Sequence, residues 1–406
     1  MSLHPVSAAF MPLTDSAILV AAAALGFAEQ EGIALTLTRE NSWANVRDRM
    51  AVRHFDVAHM LAPMPIAFNL GLSPLAFNVI APMALGLGGN AITVSQSLYE
   101  LMQNAGNFNV LNPATVGLAL KTVIVDGLSS RSRKITFAVV HPHSVHNFEL
   151  RYWLAACGIN PATDVDIVIV PPPLMPDALA TGHIDGFCVG EPWNSIAAQN
   201  GIGVVATVKA AIWKSSPEKV LGVSKIWADQ QPQTLAALLR ALYHAAKWCG
   251  AQENYAELAR LLALPAYLNR PADVIEAALT GKFKDADGCD LDVEDFFLPF
   301  ARAATFPWQS HALWLYSQMV RWGNVKHSAE NANLALKSYR PDIYRAALKP
   351  LNVALPGANS KVEGALTVAT AVGASAGGLI LGPDGFFDGA VFDPALIDAY
   401  ISNQRA

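Results

Sequence analysis

From Val6 to Met11 the side chains are largely apolar, and Pro12-Leu13-Thr14-Asp15-Ser16 follows with residues suited to a helix cap. The Ala-rich stretch Ala17 to Gln30 predicts a helix, and Leu35-Thr36-Leu37-Thr38 alternates with the period of two that marks a strand. The pattern then repeats in kind. Ser42 is placed to cap a helix carrying Trp43, Val46 and Met50, and Phe55 to His59 predicts a strand before the turn-rich Ala62-Pro63-Met64-Pro65. Further on, Ile135 to Val140 is a continuous apolar strand and Ser144 to Cys157 a helix burying Phe148, Leu150, Trp153 and Leu154. Val165 to Val170 predicts a strand that stops at Pro171-Pro172-Pro173. Strands alternating with helices predict an α/β fold with mostly parallel sheets.

The segment Asp185-Gly186-Phe187-Cys188-Val189-Gly190-Glu191-Pro192-Trp193-Asn194 reads as a buried strand that halts on a glycine and opens a loop. In open α/β folds ligands sit outside such strand ends, so this segment predicts one wall of a binding cleft. From Gln233 to Ala263 the chain turns helical, with Leu235, Leu238, Leu239, Leu242 and Trp248 at helical spacing, a stripe that reads as core. From Ala358 onward Ala, Gly, Ser and Val dominate, up to the turn-flanked pair Phe386-Phe387, which predicts an arm docking on the body or an interaction segment.

Composition narrows the function. The chain has 406 residues, 52% of them hydrophobic, enough for two or three cores, and a formal net charge of −5. No run of Lys or Arg appears, so direct nucleic-acid binding is not expected. The cysteines Cys157, Cys188, Cys249 and Cys289 are far apart and read as small buried hydrophobes in a reducing compartment. Met1 to Phe10 holds no Lys or Arg and the first basic residue is Arg39, so a secretory leader is not expected and a cytoplasmic setting is. The apolar run Ala17 to Ala28 falls short of the ~20 residues a membrane span needs.

Enzymatic signatures are scarce: there is no Gly-x-Ser-x-Gly elbow, Walker loop or His-Glu-x-x-His, and Gly86-Leu87-Gly88-Gly89 lacks the dinucleotide spacing. His141, His143 and His146 lie close in sequence, but only the last two can share a helical face and Glu149 is the one nearby carboxylate, which argues against a metal site. His146 projects from the first turn of a helix that Ser144 is placed to cap, and reads either as a surface histidine on an ordinary helix start or as a residue where anions are favoured. Lys219, in Pro217-Glu218-Lys219-Val220, stands at the start of an apolar strand. It reads either as an exposed lysine or, if it points into a cleft, as the residue that sets ligand charge.

Several segments together resemble the nitrate and bicarbonate solute-binding proteins of ABC transporters and their cytoplasmic relatives, the assimilatory nitrate/nitrite sensors. They are Phe10 to Ala17, Ser42 to Arg49, Ala58 to Pro65, His146-Asn147 leading into Arg151 to Leu154, Val170 to Pro173, Asp185 to Asn194, and Trp213 to Lys219. The resemblance implies a type 2 periplasmic-binding-protein-like fold of two lobes with a ligand cleft between them, without catalysis or cofactor. The first lobe is expected over 1–93 and 204–345, the second over 94–203, and an arm over 346–406.

It also implies a pocket of Trp43, Asn90, His146, Pro172, Val189 and Lys219, to which Gly190 is added as a backbone donor at the strand end. Related transport proteins carry a Gln near Asn90. Nitrate is a planar monoanion that only accepts hydrogen bonds, which suits an amide, an imidazole, backbone N–H groups and a lysine. Lysine at position 219 goes with nitrate or nitrite, whereas the bicarbonate receptors resemble this chain but carry an acidic residue there with calcium. The start of the chain favours the sensor class, whose partner is an RNA-binding ANTAR-type antiterminator released when nitrate binds. A transport component with a membrane permease as partner is the alternative, and an enzyme acting on a thiamine precursor shares the fold class.

Overall fold

The computed structural model describes residues 3–127, 133–284, 288 and 290–404. The first eleven strands are β1 (His4–Phe10), β2 (Ile33–Arg39), β3 (Val57–Leu61), β4 (Val79–Ala84), β5 (Leu87–Gly88), β6 (Asn90–Ser95), β7 (Ile135–Val139), β8 (Val165–Ile169), β9 (Gly186–Gly190), β10 (Gly203–Val208) and β11 (Lys219–Ser224); ten of them build two sheets, and the short β5 pairs instead with Phe297–Leu298. One five-stranded sheet has the order β2-β1-β3-β11-β4 and the other β10-β6-β9-β7-β8. Each sheet with its covering helices forms a lobe. The fold is therefore α/β and two-lobed, as the sequence implied.

The sheets are mixed, not mostly parallel. β1 runs parallel to β2 and β3, and β7 parallel to β8 and β9, as strand-helix-strand units require. β11 is antiparallel to both β3 and β4, and β6 to both β9 and β10. The reason is the passage between lobes: β4 and β6 carry the chain across one way and β10 and β11 carry it back. On strand membership these passages fall between Ala84 and Asn90 and between Val208 and Lys219. The sequence places them near Thr93 and Gly203, because a strand that pairs only with distant partners leaves no local sign of the sheet it joins.

Local chemistry sets most element ends. Ser42 and Ser144 accept from the N–H groups of Asn45 and Asn147, so the helices Trp43–Ala51 and Val145–Ala156 start where their caps predict. The helix expected over Ala17 to Gln30 is split into Ala17–Ala24 and Phe27–Gln30 by Gly26, whose φ of 79° is left-handed. The leucine stripe becomes the helices Pro232–Cys249 and Tyr255–Ala263; Leu235, Leu238, Leu239 and Leu242 are buried and Trp248 partly so. Cys188 and Cys249 are buried and Cys157 partly so, all three with free thiols, while Cys289 lies outside the described residues. Among the described residues no helix is long and apolar enough to cross a membrane.

The C-terminal segment wraps both lobes. Phe386 stacks on Trp213 with ring centroids 4.5 Å apart, and Lys214 N donates to Gly385 O at 3.1 Å. Tyr152, on a second-lobe helix, donates to Asp388 at 2.9 Å. Lys361 lies 2.5 Å from the buried Asp384 and pairs with the buried Glu363.

A candidate anion site between the lobes

The ends of the strands converge on a group of buried polar side chains. Asp15 sits in the short turn Thr14–Ser16 after β1, a turn closed by Ser16 Oγ donating to Leu13 O at 2.7 Å. His59 lies in β3, Asn90 opens β6, and Gly190 ends β9 directly opposite Asn90 in the ladder. Lys209 opens the turn of helix Lys209–Ile212, and Glu218 and Lys219 stand at the head of β11. Trp43 and His146 are delivered by the first turns of the two serine-capped helices. The lobes meet here, where Thr14 N donates to Glu191 O across the cleft at 2.8 Å.

Glu218 is the centre of the group. Its Oε1 lies 2.6 Å from Lys219 Nζ and 3.3 Å from His146 Nε2, and its Oε2 lies 2.5 Å from Lys209 Nζ and accepts from Asn90 Nδ2 at 2.6 Å. Lys219 Nζ is also 2.7 Å from Asp15 Oδ2 and 5.5 Å from the centre of the Trp43 ring. Asp15 Oδ1 is 3.1 Å from His59 Nε2, and the His59 and Trp43 rings are 5.4 Å apart. All of these residues are at most 3% exposed, so their charges act in a poorly screened setting.

Burial and pairing pull the acids and bases apart. Burial alone would raise Asp15, but the charge of Lys219, together with the His59 ring beside it, outweighs burial and holds the carboxyl at about 2. Glu218 likewise stays well below the usual carboxylate range, its burial overcome by His146, Lys209 and Lys219. Burial dominates for His146, lowered to about 3, and for Glu149, pushed up to about 8 although Lys209 is 3.6 Å away. Lys209 and Lys219 thus face the Asp15 and Glu218 carboxylates, beside a Glu149 that is protonated and a His146 that is neutral at neutral pH.

Of the residues expected from sequence, the structure brings Trp43, Asn90, His146, Gly190 and Lys219 together. A Cβ on Gly190 would lie 3.2 Å from Asn90 Oδ1 and 3.4 Å from Asp15 Oδ2, so only glycine leaves that space open. Val189 is buried beside it in β9, with its carbonyl already taken by Asn194 Nδ2 at 2.9 Å. Pro172 is buried just past β8, on the edge where the parallel strands of the second lobe end. Of the two readings of Lys219, the exposed lysine is excluded: the side chain is buried and matched by Asp15 and Glu218, because a lysine fully withdrawn from water requires partners.

Asp15, His59, Glu149, Lys209 and Glu218 were missed. Asp15 reads locally as a cap and Glu218 as a turn residue; the signal available was Lys209 following the apolar run Val204 to Val208, a buried-looking charge in need of a carboxylate. Glu191 serves structure, accepting from Ser195 N at 3.1 Å at the start of helix Trp193–Gln199, with burial raising its carboxyl to about 7. His141 and His143 part company with His146. They line a separate pocket of about 190 Å³ with Arg47, Met64 and Phe68, and His143 N donates to His141 Nδ1 at 3.0 Å.

Comparison with known proteins places this architecture. The model of the NMT1-like family matches residues 3–263. The nitrate/nitrite binding protein NrtA of Synechococcus elongatus is 31% identical over 413 residues, covering 98% of this chain and 86% of that protein. The nitrate import ATP-binding protein NrtC of Synechocystis is 33% identical over 347 residues, which is 84% of this chain but 49% of NrtC, so the chain spans about half of that relative. The crystal structure of the periplasmic nitrate-binding protein NrtA from Synechocystis PCC 6803 superposes with a TM-score of 0.86 at 26% identity, covering 100% of this chain and 99% of that one. A matched model over most of the chain and an aligned relative along nearly all of it agree with the two lobes: the chain belongs to the NMT1-like family.

Proposed function

We propose that the chain is the solute-binding component of an ABC-type importer and binds nitrate or nitrite, without turnover, among Trp43, Asn90, His146, Gly190 and Lys219. The observation that carries the reading is Lys219, buried at the junction of the lobes beside the Trp43 ring and within reach of groups from both lobes. Trp43 Nε1 and His146 Nδ1 are buried with no hydrogen-bond partner among the described residues. The Trp43 indole N–H is an unserved buried donor, which costs about 1–3 kcal/mol, and a planar acceptor-only anion relieves that cost. Charge-assisted bonds of about 1.5–3 kcal/mol each bring three or four of them to the ~8 kcal/mol of a micromolar site, before ordering costs.

The relatives move the reading from sensor to importer. NrtA is named for nitrate and nitrite binding and NrtC for nitrate import, so a permease and its ATPase are favoured as partners over an ANTAR antiterminator. Fractionation of the native protein and identification of what co-purifies with it separate the two. The anion itself is tested by a thermal-shift panel of nitrate, nitrite, bicarbonate and sulfate. A ligand at 100 times its Kd stabilises by about 2.7 kcal/mol. Shifts with nitrate or nitrite alone support the reading, and a shift with bicarbonate or sulfate alone overturns it.

A further inference from the structure

The buried group around Lys219 is electrically balanced before any ligand enters. Lys219 is matched by Asp15 at 2.7 Å and Glu218 at 2.6 Å, and Lys209 by Glu218 at 2.5 Å. Two cations thus face two carboxylates. Adding a monoanion leaves one uncompensated charge in a setting withdrawn from water, an arrangement that proteins relieve by changing a protonation state. We propose that the anion enters this site together with one proton, and that His146 is the group that receives it. The inference rests on the anion-binding reading above.

Geometry singles out His146. It is fully buried, its Nε2 lies 3.3 Å from Glu218 Oε1, and its Nδ1 has no hydrogen-bond partner among the described residues. A neutral imidazole has one N–H, whereas the imidazolium has two and can donate to Glu218 and to the anion at once. The groups facing it come from four places: Glu218 and Lys219 at the head of β11, Lys209 on its short helix, Asp15 on the turn after β1, and Glu149 further along its own helix. Burial and the two lysines keep the ring neutral, while Glu218 and Asp15 pull toward protonation. An arriving anion joins the carboxylates' side of this balance. Glu149 does not serve, because with its carboxyl raised to about 8 it already holds its proton at neutral pH. His59 is committed to Asp15 at 3.1 Å. Nitrate, the conjugate base of a strong acid, brings no proton, so the proton comes from solvent.

The test is calorimetric titration of the whole chain with nitrate near pH 6, in buffers of different ionisation enthalpy. Uptake approaching one proton per nitrate is expected, with Kd weakening toward about tenfold per unit as pH rises. Nitrate binding with no proton uptake overturns this proposal and leaves the binding reading intact. No binding in any buffer sinks that reading instead. Nitrogen NMR of the wild-type imidazoles needs no variant: the His146 shifts move to those of an imidazolium on nitrate addition, and a ring that stays neutral refutes the assignment. In His146→Asn proton uptake is lost, and undiminished uptake in that variant refutes it equally.

Discussion

Replacing Lys219 by methionine keeps the length of the side chain and removes its charge. In the native protein that charge is shared by Asp15 at 2.7 Å and Glu218 at 2.6 Å. Glu218 keeps Lys209 at 2.5 Å and Asn90 at 2.6 Å, so the loss falls mainly on Asp15, left with His59 alone. Removing one partner of a buried pair costs about 3–5 kcal/mol, far above the ~0–1 kcal/mol of a surface pair. The linkage sign agrees: Asp15, held at about 2 against its ordinary 3.8, contributes roughly 2 kcal/mol above pH 4, lost as pH falls through 2. Urea unfolding of Lys219→Met at pH 7 therefore shows a loss of about 3–5 kcal/mol, and adding Asp15→Asn returns more than half of it, since the orphaned charge is gone. A loss below about 1 kcal/mol, or a double variant no more stable than the single one, refutes the buried-network reasoning.

Gly190→Val fills the space facing Asn90 and Asp15, so anion affinity falls at least about tenfold while circular dichroism is unchanged, as titration of the variant reads out. Glu149, raised to about 8 in the folded chain from an ordinary 4.5, binds its proton more tightly folded than unfolded. Stability therefore declines as pH rises from about 4.5 to 8, and urea unfolding across that range shows a shallower decline in Glu149→Gln. Tyr152→Phe removes the bond to Asp388 that ties the C-terminal arm to the second lobe, locally about 1.5–3 kcal/mol. Limited proteolysis then cuts the arm faster than in the parent, and equal rates would mean that the arm is held elsewhere.

How far the sequence could be read follows from the range of each interaction. The strands β1 and β2 and the helices capped by Ser42 and Ser144 rest on neighbours within a few residues, and their limits are visible in the chain. β6 and β10 are different. Each finds its place by pairing with strands about a hundred residues away, and the pattern carries no trace of that direction. The break at Gly26 shows a local rule that Ala-rich propensity concealed. In the site, Trp43, Asn90, His146 and Lys219 were accessible through resemblance, and the glycine at 190 through strand-end logic. Glu218 was not: beside a proline and a lysine it looks like any exposed turn carboxylate, and only closure of two lobes around it makes it a buried counter-charge.

Calorimetric titration of the purified chain with nitrate and with nitrite at pH 7 tests the central claim most directly. One anion bound per chain at a micromolar or tighter Kd, about 8 kcal/mol or more, is the predicted result, with the affinity lost in Lys219→Met. Absence of binding by both anions at millimolar concentration, or unchanged affinity without the Lys219 charge, would contradict it.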